Sequence, residues 1–179
     1  MCPDAHRERS ERGHLHLTDP FPTLPPVADV QQTFSTEIRA AAALCYTAIA
    51  DFPAYPSWSS PIMKTRVLDS HPDGFARRVE FFIDMKLKTV RYVLEYTWTP
   101  PQRLSWTYVE GDVQDIVGSY VFETLADDRT QATCSQAVSL GFWVPGLVRR
   151  TLEQTALRQS VLEFKAEAER RAAEQTRKS

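Results

Sequence analysis

The side chains of this chain with chemical promise are phenols and indoles, not histidines or thiols. The stretch WTPPQRLSWTYVEGDVQDIVGSYVFETL (98–125) carries Trp98, Trp106, Tyr108, Tyr120 and Phe122, with no Cys, no His and no glycine-rich loop. Just upstream, KTVRYVLEYTW adds Tyr92 and Tyr96. A buried Tyr hydroxyl needs a hydrogen-bond partner, so several on one wall suggest a cavity holding polar ligand atoms or water. The competing reading is a solid core whose hydroxyls reach the sheet rim and meet solvent. Three further polar residues fall on the same parity. Gln136 can orient a ligand carbonyl or hydroxyl, or simply pair with a neighbouring Tyr. Arg77 can meet an anionic head group, or lie along the surface with its head in water. Glu110 can act as a base at a cavity mouth, or accept a backbone N–H in the turn EGD.

Other chemistries find no support. His71, in the turn SHPDG, is the one histidine between residues 27 and 170; His6, His14 and His16 precede it. No order of residues suits a Ser-His-Asp or Cys-His arrangement. No carboxylate pair falls on one inward face, which leaves hydrolytic acid–base work unsupported. No metal-ligand spacing and no phosphate-cradling loop is present, so no metal and no cofactor is expected. Cys2, Cys45 and Cys134 are odd in number and without motif spacing, and the last two read as small buried hydrophobes.

Composition sets wider bounds. The 179 residues, 42% hydrophobic and 25% charged, suit a single globular domain. A net charge of −2 offers no electrostatic case for nucleic acid. No apolar run reaches a membrane span, and the polar start MCPDAHRERSERGHLHLTDP lacks the apolar core of a signal peptide. A cytoplasmic protein of open oligomeric state is expected.

The elements that must hold these side chains follow from periodicity. Residues 1–26, proline-rich at the end, read as a disordered tail before a domain at 27–170. Alternation predicts a strand over 27–36, and EIRAAAALCYTAIADF turns helical, with Ile38, Ala42, Cys45 and Ile49 on one face. The connector DFPAYPSWSSP has three prolines in eleven residues, so it is irregular or a single turn. Period-two strands follow over 63–70, 75–85, 88–98, 103–110, 115–125 and 130–140, with short links that favour a meander. From Leu147 to about Arg170 an apolar stripe of Leu147, Val148, Leu152, Ala156, Leu157, Val161, Leu162 and Phe164 predicts a long helix, and residues 171–179 read as a fraying end. The order implies an α+β fold: a curved antiparallel sheet of six or seven strands around a long C-terminal helix. If Trp106 points inward, the wall comprises Phe81, Tyr92, Leu94, Tyr96, Trp106, Tyr108, Tyr120, Phe122 and Gln136, faced by Leu152. Trp58 in the connector, with Trp143 and Leu147 in GFWVPGLV, forms either an apolar entrance suited to transient membrane contact or a cap on the core.

Local patterns sharpen this. ADFPAYPSW (50–58) resembles the DxxxYPxW segment of the START-like, polyketide cyclase/dehydrase (SRPBCC, coenzyme Q-binding-protein-like) superfamily. PPQRLSWTYVEGD (100–112) is similar to its PxRxSWxxxEGD hairpin, and GSYVFETL (118–125) to its GxWxFxxL strand, with Tyr120 in place of Trp. VPGLVRRTLEQTALRQSVLEFKAEAE (144–169) resembles its closing helix. The resemblance covers residues 27–170 and implies a helix-grip fold with a cavity between sheet and helix. It implies a carrier or sensor of a hydrophobic small molecule, such as a lipid, isoprenoid quinone or polyketide. Alternatives are a metal-independent polyketide cyclase/dehydratase, in which shape and donors from Tyr92, Tyr96, Tyr108 or Arg77 promote closure, and an interaction protein like the ribosome-associated toxins. No catalytic residue is singled out.

Overall fold

The computed structural model describes residues 31–86, 88–126, 128–141 and 146–178, and side chains of the last segment from Thr155 onward. The expected tail at 1–26 and Trp143 lie outside the described residues; Leu147 and Leu152 lie outside the described side chains. In chain order the elements are β1 (Gln32–Ile38), α1 (Ala42–Ala50), a 3-10 turn at Phe52–Ala54, α2 (Tyr55–Trp58), β2 (Ile62–Ser70), β3 (Ala76–Asp84), β4 (Thr89–Thr99), β5 (Arg103–Gly111), β6 (Asp115–Thr124), β7 (Thr130–Ser139) and α3 (Gly146–Lys178). One antiparallel sheet of seven strands runs in the order β1-β7-β6-β5-β4-β3-β2. Its concave face carries Val79, Phe81, Leu94, Tyr96, Leu104, Trp106, Tyr120, Phe122, Ala132 and Cys134, all buried, as alternation requires. Leu157, Val161, Phe164 and Ala168 of α3 join them in one core.

Two boundaries differ from expectation, each for a tertiary reason. The first helix begins at Ala42 rather than Glu37, because Ile38 stays in β1, paired with Thr130 and wholly buried. The Arg39 N–H then donates to the Glu169 carboxylate of α3 at 3.0 Å, so strand pairing and docking override alanine's helix preference. At the other end, α3 runs on to Lys178 instead of fraying after Arg170. Arg171 explains this: its guanidinium reaches Glu167 at 2.6 Å and Asp51, just after α1, at 2.8 Å. Ala172 also packs against the core. Leu162, expected on the apolar stripe, faces outward and is 41% exposed.

Of the register shifts in the sheet, two bear on the candidate charged residues. Leu94 opposes Tyr108 but Val93 opposes Glu110, so Val109 is an extra residue and Glu110 turns to the convex face. There Arg91 pairs with Glu110 at 2.8 Å and with the buried Glu80 at 2.7 Å, and Arg66 holds the other Glu80 oxygen. In the hairpin of β2 and β3, Asp69 opposes Arg78 and Ser70 opposes Ala76, which leaves Arg77 extra. Arg77 grips Asp69 at 2.6 Å on the surface. The ladder interrupted at this bulge is closed by side chains: Trp98 Nε1 donates to the Ala76 carbonyl at 2.7 Å, and His71 Nε2 donates to the Tyr96 carbonyl at 2.9 Å. His71, expected at the surface of its turn, is thus a half-buried structural residue.

Gly118 sits opposite Trp106 on the concave face, and a Cβ there would lie 2.5 Å from the indole ring. The bare backbone lets the ring lie flat across β6. Gly118→Ala is expected to push Trp106 aside and cost about 1–3 kcal/mol by urea denaturation, with a shift in the tryptophan emission. The second prediction concerns Glu167, which is buried on α3. Hydrogen bonds from Arg170 and Arg171, opposed by burial, hold its carboxyl below the ordinary value of 4.5. With the folded-state pKa depressed, its contribution is complete above the unfolded value and is lost as pH falls through the folded one. Glu167→Ala should cost about 2 kcal/mol at neutral pH. Denaturation curves of variant and parent should converge below the pH at which this carboxyl protonates.

Candidate ligand cavity

The aromatic face divides into a filled half and an open half. Over the first half, α1 and the 3-10 turn press Tyr46 and Phe52 onto the sheet. Phe52 lies 4.8 Å from Tyr96 between ring centroids, and Tyr46 meets Phe75 and Trp98 edge-on at 5.7 Å each. The Tyr46 hydroxyl donates to the Arg103 carbonyl at 3.2 Å, and burial raises its pKa to about 12. Of α1, Ile49 in its last turn alone borders the other half. There α3 and the connector face the sheet, and a cavity of about 280 Å³ remains.

The cavity is built from three sources. The sheet supplies Phe81, Ile83, Val90, Tyr92, Leu94, Tyr96, Leu104, Trp106, Ile116, Tyr120, Cys134, Gln136 and Val138. The last turn of α1 and the connector after it supply Ile49, Tyr55, Trp58, Ser59 and Pro61, with Ile62 at the start of β2, and α3 supplies Ala156, Leu157, Ser160 and Phe164. Asp84, Met85, Val113 and Leu140 come from the adjoining strand ends and hairpins. Connector and helix are joined beside the cavity. The Glu163 carboxylate accepts from the Ser60 backbone N–H at 3.0 Å and from its hydroxyl at 2.7 Å, and Gln159 donates to the Ser60 hydroxyl at 2.8 Å.

Of the residues expected in the wall, Phe81, Tyr92, Leu94, Tyr96, Trp106, Tyr120 and Gln136 line this space, as does Trp58. Phe122 does not: it is packed into the filled core, stacked on Tyr120 at 5.6 Å. Tyr108 does not line it either. Next to the Val109 bulge its hydroxyl turns back to the Gly111 carbonyl at 3.0 Å. Arg77 and Glu110 are not in the cavity; the two bulges place both in surface ion pairs. Sequence reasoning missed Ser59, Asp84, Val113 and Ser160. Parity along β3 sets Asp84 outward, and only the strand's end brings it to the rim. For Ser160, spacing of three and four from Leu157 and Phe164 was the available signal.

The electrostatics are those of an uncharged pocket. Among the described lining residues, Asp84 is the one group that carries a charge near neutrality. Backbone and side-chain bonds from Lys86 hold its carboxyl below the usual range. Burial pushes the Tyr55, Tyr92, Tyr96 and Tyr120 phenols upward, so all stay protonated. Tyr55 donates to the Ile49 carbonyl at 2.6 Å, whereas Tyr92 and Tyr96 hydroxyls have no partner among the described residues. Burial also raises the Cys134 thiol to about 12, which leaves it a poor nucleophile. No group of three His, Cys, Asp or Glu residues suited to a metal occurs among the described residues, and no described helix is long and apolar enough to cross a membrane. The site can enclose an apolar molecule and donate hydrogen bonds to it.

Solved structures share this architecture. A START superfamily protein from Mycobacterium smegmatis superposes with a TM-score of 0.71 at 18% identity, over 78% of this chain and 97% of that one. The Zhui aromatase/cyclase from a Streptomyces species gives 0.68 at 22% identity, over 79% and 94%. A protein from Thermus thermophilus gives 0.67 at 18% identity, over 80% and 97%. These likenesses establish the helix-grip fold. No curated protein matches by sequence. The family model described as polyketide cyclase/dehydrase and lipid transport matches residues 38–165, a span holding the connector, the SWTYVEGD hairpin, the GSYVFETL strand and most of α3. By that match across most of its length, the chain belongs to the polyketide cyclase/dehydrase and lipid transport family.

Proposed function

We propose that this protein binds a hydrophobic small molecule between sheet and α3, as a carrier or sensor. The observation that carries the reading is the cavity itself: about 280 Å³ walled by aromatic and aliphatic side chains from sheet, connector and helix. A space that apolar, left open in an otherwise close-packed core, forgoes contacts that a guest can restore. Its volume lies just below the roughly 300–1,000 Å³ typical of drug-sized ligands, which favours a compact guest over a long chain. The lining favours binding over turnover. Apart from Asp84 at the rim, the titratable lining groups are phenols and a thiol held protonated by burial, which offer no base near neutral pH. Family membership is compatible with both roles.

A cyclase reading retains one specific support: the hydroxyls of Tyr92 and Tyr96, protonated and without a partner among the described residues, are suited to polarise a substrate carbonyl. Tyr92→Phe separates the readings. A cyclase should lose about a hundredfold in turnover of a poly-β-ketone, whereas a carrier should show no turnover to lose.

Two measurements test the binding reading. Native mass spectrometry of the purified protein, followed by solvent extraction, should reveal a co-purifying apolar molecule. The neutral dye N-phenyl-1-naphthylamine should brighten on binding, and Ser160→Phe, which fills the cavity from the helix side, should abolish that signal without loss of the folded state. Dye binding unaffected by Ser160→Phe would place the ligand elsewhere.

A further inference from the structure

We propose that the convex face of the sheet carries a docking groove for the chain's own proline-rich segment, residues 20–26. This is independent of any guest in the cavity. The groove, of about 600 Å³, crosses β5, β6 and β7 on the side of the sheet away from α3. The side chains that shape it share the outward parity: Ser105 and Thr107 of β5, Val117 and Ser119 of β6, and Ala137 of β7. Its floor is low because small residues face one another across the strands. Ser105 opposes Ser119, and Val117 opposes Thr107 on one side and Ala137 on the other. Val117 is 45% exposed there, an apolar surface left open to water. One strand pair further along the same face, hydroxyls satisfy each other: Thr33 meets Ser135 at 2.9 Å and Ser35 meets Thr133 at 2.8 Å. In the groove, the hydroxyls of Ser105, Thr107 and Ser119 and the guanidinium of Arg103 have no partner among the described residues.

Position and chemistry select the occupant. Gln31, the first described residue, itself borders the groove, and thirty residues precede it in the chain. In PFPTLPP (20–26) four of the seven residues are proline. Proline keeps its carbonyl but has no N–H, so this stretch has a surplus of acceptors. The groove offers the complement, a set of donors. Phe21 and Leu24 supply apolar side chains to cover Val117 and Ala137. The reach also fits. From β1 to β5 the sheet takes three strand spacings, about 14 Å. Seven residues of polyproline helix span about 22 Å, which leaves residues 27–30 to turn onto the face. In this direction Asp19 arrives on the β5 side, where the Arg103 guanidinium is unpaired. With Arg103 and Asp115 opposite in sign, the groove has no net charge to draw a nucleic acid or an acidic partner. A tethered segment needs no such field, because its effective concentration beside the groove is high.

The test is paramagnetic relaxation in the full chain, with a nitroxide on Leu24→Cys in a Cys2→Ser background. Cys45 and Cys134 are buried and remain unlabelled. Backbone amide signals of Ser105, Val117, Ser119 and Ala137 should lose most of their intensity. Those of Thr65 and Val67 in β2, at the far edge of the sheet, should keep theirs. Val117→Arg, which sets a charge on the exposed floor, should restore the lost signals while circular dichroism reports an unchanged fold. Should that variant unfold, the parent spectrum decides by itself. A mixture of spin-labelled chain with separate, isotope-labelled chain should show no loss. Loss that persists in the mixture identifies a second copy as the occupant and overturns the proposal. Uniform or absent loss in the single chain, or loss that survives Val117→Arg, overturns it as well. None of these outcomes touches the ligand-binding reading, which the dye measurement tests separately.

Discussion

Phe164 of α3 is the contact on which the rest of the molecule depends. Its ring, essentially unexposed, lies 5.4 Å from Tyr120, 6.0 Å from Phe122 and 6.2 Å from Trp58. One side chain thus ties the helix to the centre of the sheet and to the connector. A curled sheet with an aromatic concave face is stable in water only if something covers that face, and one helix is narrower than seven strands. The fold divides the task. Tyr46 and Phe52, delivered by α1 and the 3-10 turn, fill one half solidly, and α3 with the connector encloses the other. The cavity is what remains where α1 stops and α3 continues.

Polar anchors on the rim hold this roof in place. Glu169 binds the Arg39 backbone, Glu163 binds Ser60, and Glu167 gathers Arg170 and Arg171, the latter also reaching Asp51. Through Arg39, Ser60 and Asp51 they join α3 to segments that flank the concave face. Apolar contacts between α3 and the sheet are non-directional and would tolerate sliding of the helix. The carboxylates bond particular partners and so set its register along the groove. The helix must extend past Arg170 because its last anchors lie there.

The bulges decide which chemistry faces the cavity. A single extra residue inverts every side chain beyond it. At Val109 and Arg77 this removes the two candidate charged anchors, Glu110 and Arg77, from the inner wall and commits them to surface ion pairs. The pocket that results offers donors, with Asp84 its one charged group among the described residues. Its largely apolar and phenolic wall is compatible with the polyketide cyclase/dehydrase and lipid transport family to which the chain belongs.

Much of this was legible in the sequence. Period-two runs bounded by HPDG, TPPQ and ADDR set six strands to within a residue or two, because alternation and turn chemistry are local properties. The inward set Phe81, Tyr92, Leu94, Tyr96, Trp106, Tyr120 and Gln136 followed from parity alone. Motifs such as DFPAYPSW carried the family. Tertiary structure alone decided the rest. No local signal places an extra residue at Val109, so Glu110 kept its apparent inward parity. Ile38 had equal claim to a helix face until β7 paired with it. Phe122 and Tyr108 share parity with true lining residues, and only the reach of α1 and the bulge beside Gly111 exclude them. The aromatic stretch could make either a core or a cavity, since both require the same apolar face. How far each helix extends over that face settles the choice, and that is a property of packing between elements distant in the chain.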